Sequence, residues 1–194
     1  AGWADYYGNE DFFKAYPNDD RKEWNYMTEW KIKSGEIIPY TESADKLPAI
    51  SKYYDYDEGA PGKSAQSNGI TCIYRYAEVL LMYAEASTRA TNSVNQDALN
   101  AIQEVQKRAG YQDRQIELTT TTEPTAFLAA VSNERGWEFF AEMKRWFELV
   151  RLEKVKEVRA EEWDASTFNT NHHYYFPVPY QQVDLAGWTN NAGY

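Results

Sequence analysis

The chain has 194 residues, 43% hydrophobic and 26% charged, with a formal net charge of −10. This is enough apolar material for one domain core and argues against disorder. The acidity argues against nucleic acid and anionic membrane surfaces as partners, since both need clustered Lys and Arg. No apolar run reaches the length of a membrane span. The single cysteine, Cys72, excludes an internal disulfide and a Cys-based zinc site, and is expected to be buried. The first residues lack the basic start and apolar segment of a signal peptide.

Residues 1–70 read as an irregular, aromatic-rich loop region. Turn signals recur around Pro17, Ser34-Gly35, Pro39 and Pro48, and a Gly-rich loop runs over residues 57–69. One short extended piece is expected over residues 49–54. Residues 71–194 read as a helical region with a docked tail, one structural unit.

Residues 73–90 form the first predicted helix. Its expected inward face is Ile73, Tyr76, Ala77, Leu80 and Ala84, widened by Val79, Met82, Tyr83 and Ala86. Arg75, Glu78, Glu85 and Arg89 fall on a narrow charged stripe. Residues 96–109 form a second helix, with Asn95 as N-cap and Gly110 as stop. A third, over residues 124–142, opens on Pro124. A fourth, over 144–158, follows it or continues it. The predicted fold class is mainly α: two antiparallel tetratricopeptide-like hairpins, long aromatic-rich loops and an extended C-terminal tail. Phe176-Pro-Val-Pro179 must be extended. The apolar side chains beyond it, Tyr180, Leu185, Trp188 and Tyr194 among them, predict a tail docked on the scaffold.

Glu134, Glu138 and Glu142 recur every four residues, on one face if the third helix reaches Glu142. A row of carboxylates needs neutralising. The expected structural ion network joins them to Arg135, Arg145 and an arginine such as Arg75, Arg108 or Arg151. A di-metal centre would also need Glu-x-x-His pairs, which the sequence lacks. His172 and His173 read as a polar loop pair, and no catalytic motif is present. No cofactor or metal is expected, and no catalytic residue is assigned.

The run Arg75-Tyr-Ala-Glu-Val-Leu-Leu-Met-Tyr-Ala-Glu-Ala86 resembles the helix signature of the SusD/RagB family. Asp20-Arg21 and Lys52-Tyr53 resemble its earlier segments, and Lys107-Arg-Ala-Gly110 the end of its second helix. Glu134-Arg135, Glu138-Phe139 and Arg145-Trp-Phe-Glu-Leu-Val-Arg151 resemble the next signature. The usual Glu-Gly reads Glu142-Met143 here. The endings Phe176-Pro-Val-Pro179 and Asn190-Asn-Ala-Gly-Tyr194 are similar to the family's Pro-Ile-Pro and Gln-Asn-Pro-Gly-Tyr.

The resemblance implies a non-catalytic glycan- or nutrient-binding lipoprotein of the outer membrane, at the bacterial cell surface. It implies a SusC-like TonB-dependent transporter as partner. Membrane attachment would be only through a lipid anchor absent from this chain, which would be the final third or so of a longer protein. A helical-repeat adaptor and a carbohydrate-active hydrolase are the alternatives. The expected ligand rings are Trp3, Tyr7, Trp24 and Trp30, because a flat ring covers a sugar's C–H face. Asp5, Asn9, Asp19, Asn25 and Lys31 would hold its hydroxyl rim. The competing expectation is that these rings pack the loops onto the helices.

Overall fold

The apolar runs of the middle of the chain become a three-helix core. A computed structural model describes residues 7–54, 70–111, 117–158 and 168–194. The chain forms two compact units, residues 1–143 and 144–194.

In the first unit, α3 (Tyr76–Thr91) and α4 (Gln96–Gln106) pack as a hairpin, and α5 (Pro124–Glu138) packs on both. The helix ends follow local chemistry. Asn92 ends α3 in the left-handed region, which Asn tolerates. The Asn95 side chain accepts a hydrogen bond from the Ala98 N–H and so opens α4. Pro124 stands at the start of α5, and the Glu123 carboxylate caps the Thr125 and Ala126 amides. Between the helices lie Leu81, Ala84, Ala98, Leu99, Ala101, Ile102, Val105, Phe127, Val131 and Phe139.

The buried face of α3 matches the expected one in part: Ala84 is buried and Ala77 and Leu80 pack against the core, while Ile73 is exposed. Leu81, Ala84 and Thr88 point inward, and Glu78 with them. Tyr76, Val79, Met82 and Tyr83 are exposed, at 67%, 57%, 52% and 45%. A run apolar on nearly all sides fits a 3.6-residue period in more than one phase. Glu78 lies on the inward face, its carboxylate 3.8 Å from the buried Arg135.

Two short helices, α1 (Glu10–Ala15) and α2 (Asp20–Asn25), precede this core where the sequence reads as loop. Asn9 caps α1 and Asp19 caps α2. Strand β1 (Tyr26–Met27) pairs antiparallel with β4 (Ala49–Ile50), within the expected extended piece. Strand β2 (Glu29–Lys31) pairs with β3 (Ile37–Pro39), with Trp30 opposite Ile38. Rings fasten this segment to the end of α5. Phe12 stacks on Phe140, Tyr26 lies 4.6 Å from it, and the Tyr16 hydroxyl donates to the Trp137 carbonyl at 2.6 Å. Gly110 has φ +98°, and a Cβ there would sit 2.5 Å from the Asp20 carboxylate. Only glycine both ends this turn and lets α2 approach.

Helix α5 ends at Glu138, four residues earlier than expected. Ala141 and Met143 then take φ of +59° on either side of Glu142. Cys72, expected to be buried, is exposed.

The second unit holds α6 (Arg145–Arg151), α7 (Val155–Val158), α8 (Thr170–His173) and α9 (Tyr180–Ala186). The expected helix over 144–158 is thus two pieces, and His172 and His173 stack within a helical turn. The tail folds back on its own unit. The Val178 N–H donates to the Asn190 side chain, the Asn191 amide to the Phe176 carbonyl, and the Tyr194 hydroxyl to the Tyr175 carbonyl. The expected burial of its large side chains does not occur: Tyr180, Leu185, Trp188 and Tyr194 are exposed. Asparagine side chains and the edge-on contact of Tyr194 with His172 tie the tail together.

The two faces of α3 give contrasting expectations. Leu81→Ala should cost about 2–5 kcal/mol, whereas Val79→Ala should stay within about 0.5 kcal/mol. Urea unfolding of the two variants checks the assignment.

Candidate functional site

Two features carry chemistry in the first unit: a buried ion network at the C-terminal end of α5, and the rings of the segment before α3. The network begins with Glu134 and Glu138, one turn apart and both buried. Arg21, from α2, bridges them through Nη1, at 2.6 Å to Glu134 and 2.9 Å to Glu138. Its Nε and Nη2 donate to the fully buried Asp19 carboxylate. Arg75 donates from Nη1 to Glu138 at 2.6 Å and from Nε and Nη2 to Glu142. Arg108 adds its own contact with Glu138. Lys52 reaches Glu142 at 2.6 Å.

Four carboxylates, Asp19, Glu134, Glu138 and Glu142, therefore meet four cations, Arg21, Lys52, Arg75 and Arg108. The same cations finish the helix: the Glu138 carbonyl accepts from Arg75 Nη2 at 2.8 Å and Lys52 Nζ at 3.2 Å. Cations at a helix C-terminus also meet its negative dipole end.

The protonation tendencies follow from burial and pairing. Burial raises the pKa of Glu134, and the pull of Arg21 does not fully offset it. Burial also works against the Glu142 carboxylate, but hydrogen bonds from Arg75 and Lys52 outweigh it and lower its pKa. Burial draws Lys52 below the usual lysine range despite its contact with Glu142. Arg21 moves the other way, because Glu134 and Asp19 more than offset its burial.

The structure places the expected network residues in three groups. Arg75 joins Glu138 and Glu142. Arg135 pairs instead with Glu78 and lies 5.3 Å over the Phe139 ring, which also carries Arg75 at 4.9 Å. Arg145 pairs with Glu148, three residues on. Arg21 and Lys52 were not expected in the network. Their partners lie 113 and 90 residues away, and only the Asp20-Arg21 and Lys52-Tyr53 segments of the family resemblance pointed to them.

Of the expected ligand rings, Trp24 is 64% exposed, on α2. Tyr7 is half-buried and its hydroxyl donates to Asp45 at 2.8 Å. Trp30 is half-buried in β2. Trp3 and Asp5 lie outside the described residues. The polar groups expected at the ligand rim mostly do structural work: Asn9 and Asp19 cap helices, and the Asn25 amide donates to the Tyr16 hydroxyl. Lys31 is exposed. Exposure also singles out Tyr53, Tyr54 and Tyr74, which the sequence reading left aside.

The family description that matches residues 1–194 is that of the SusD family. The chain is 28% identical over 200 residues to the SusD-like protein P2 of Formosa agariphila, covering 93% of this chain and 39% of that protein. It also matches the crystal structure of a SusD superfamily protein from Parabacteroides distasonis. There the TM-score is 0.74 and the identity 24%, over 97% of this chain and 42% of that one. The surface glycan-binding protein A of Bacteroides uniformis gives a TM-score of 0.62 and 25% identity, over 94% of this chain and 40% of that one. The chain thus spans about two fifths of the length of these relatives.

The network makes two predictions. Glu138→Ala removes the carboxylate that Arg21, Arg75 and Arg108 share and should cost about 3 kcal/mol in urea unfolding. Glu142 has a lowered pKa in the folded chain, so its contribution is complete above the ordinary carboxylate range and is lost as pH falls through the folded value. The stability gap between wild type and Glu142→Gln should therefore narrow as pH drops from 7 to 3, read by denaturant titration at each pH.

Proposed function

Because the chain belongs to the SusD family, we propose that it is part of a non-catalytic glycan-binding protein of the bacterial outer surface. That protein would pass its ligand to a SusC-like TonB-dependent transporter and be held to the outer membrane by a lipid anchor. The observation that carries the glycan reading within this chain is Trp24. Its indole is exposed on a helix whose neighbouring side chains are tied down. An exposed ring on a held helix offers a flat apolar surface to a sugar face. Trp30, Tyr7, Trp3 and Lys31 are the further candidate ligand contacts of this proposal.

Glu134, Glu138 and Glu142 speak against the hydrolase alternative. A glycosidase needs one carboxyl to give a proton and another to attack or activate water. Here Arg21, Arg75, Arg108 and Lys52 occupy these carboxylates. The adaptor alternative draws on a different observation, the exposed apolar face of α3 at Tyr76, Val79, Met82 and Tyr83.

A glycan array on the full-length protein identifies the ligand, and calorimetric titration then compares wild type with Trp24→Ala. Loss of one stacked ring should weaken binding roughly 5- to 10-fold, the equivalent of about 1–1.4 kcal/mol. Unchanged affinity with an intact fold would move the ligand site elsewhere in the protein.

A further inference from the structure

The outward ring and the inward charge of α2 sit on one short helix. A six-residue helix does not persist alone, because its few hydrogen bonds do not offset the cost of nucleation. Its order must come from side-chain anchors. Asp19 caps its first turn, Asn25 holds its last residue to the Tyr16 hydroxyl, and Ser51 donates to the Trp24 carbonyl at 2.8 Å. Lys22 lies over the Phe13 ring at 4.5 Å. Among the described residues, Arg21 supplies the anchor that reaches α5. One nitrogen, Nη1, spans Glu134 and Glu138, while Nε and Nη2 face Asp19.

This fork has geometric consequences. Contact with two carboxylates one turn apart fixes where α2 sits along α5. Contact with Asp19 through the other edge of the same plane fixes the rotation of the guanidinium, and with it the start of the helix. Trp24 follows Arg21 by three residues, about 60° around the helix, so the direction in which its side chain leaves α2 follows from where Arg21 holds the helix. A lysine would keep the charge but could not grip Asp19 and the two glutamates with one rigid plane.

We infer that Arg21 is a positioning residue for the Trp24 ring: its planar fork on Asp19, Glu134 and Glu138 sets the orientation and order of the indole that faces solvent. This rests on the glycan reading only for the use to which the ring is put.

The test needs no ligand, so its failure and the failure of the glycan reading are distinguishable. Nitrogen-15 relaxation is measured on the 194-residue chain, wild type and Arg21→Lys, under conditions where both are folded. Order parameters of the amides in α2 and of the Trp24 indole should fall from rigid values of about 0.85 to below about 0.6. The indoles of Trp137, Trp146 and Trp188 serve as internal references and should not change. A role in stability alone would lower the melting temperature and leave the Trp24 indole as ordered as in wild type, and that result overturns the inference. Where Arg21→Lys does not fold, Asp19→Asn replaces it. That variant keeps an oxygen for the helix cap, removes one charge from the fork, and should loosen the same indole selectively. An unchanged Trp24 indole in folded Asp19→Asn would equally count against Arg21.

Discussion

The first unit depends on how Glu138 is satisfied. A carboxylate this deeply buried is costly to keep charged, and a single partner would not compensate for its lost hydration. Three arginines from three parts of the chain converge on it: Arg21 from α2, Arg75 at the start of α3, and Arg108 just past α4. Arg21 also meets Asp19 and Glu134, and Arg75 also meets Glu142, so the segments are cross-linked through shared carboxylates. The network therefore specifies one arrangement of the segment before α3 against the three-helix core, where an apolar contact alone would accept many. The aromatic cluster around Phe12, Tyr16, Tyr26 and Phe140 packs the same junction, supplying area where the ions supply direction.

Much of the helical frame was legible in the residues. Asn95, Gly110 and Pro124 mark boundaries through local chemistry, and they act where the sequence placed them. The phase of α3 was not legible, because an apolar ring of side chains leaves several faces equally suited to burial. The inward face carries Glu78 to Arg135, a contact between helices that periodicity does not encode. The end of the third helix was overrun for a similar reason. Residues 139–142 carry no breaker, yet the chain leaves the helix so that Glu142 can turn toward Lys52 and Arg75. It does so through two left-handed residues that are not glycine. One of them, Met143, stands where the resembling family usually has glycine, the residue that adopts such a φ without strain.

The ion network was half legible. The spacing of Glu134, Glu138 and Glu142 announced a need for cations, and Arg75 was among those considered. Arg135 was expected there too, but neighbours on a helix point about 100° apart, and it meets Glu78 instead. Arg21 lies far away in sequence, and only the fold brings it near. Among the rings, an abundance of Trp and Tyr could not say which would be covered. Tyr16 and Tyr26 went into the core while Trp24 stayed outside, a choice made by the turn of a six-residue helix.

The contact of Lys52 and Arg75 with one carboxylate has a further consequence. Both nitrogens meet Glu142 Oε1, at 2.6 and 2.8 Å. The chain between them leaves and returns at a single riveted point, much as a bracelet is closed by its clasp. The entropy of such a closure grows only logarithmically with contour length, by about 0.6 kcal/mol for each doubling. Lys52 and Arg75, far apart along the chain, are thereby joined at one oxygen of the turn that follows α5.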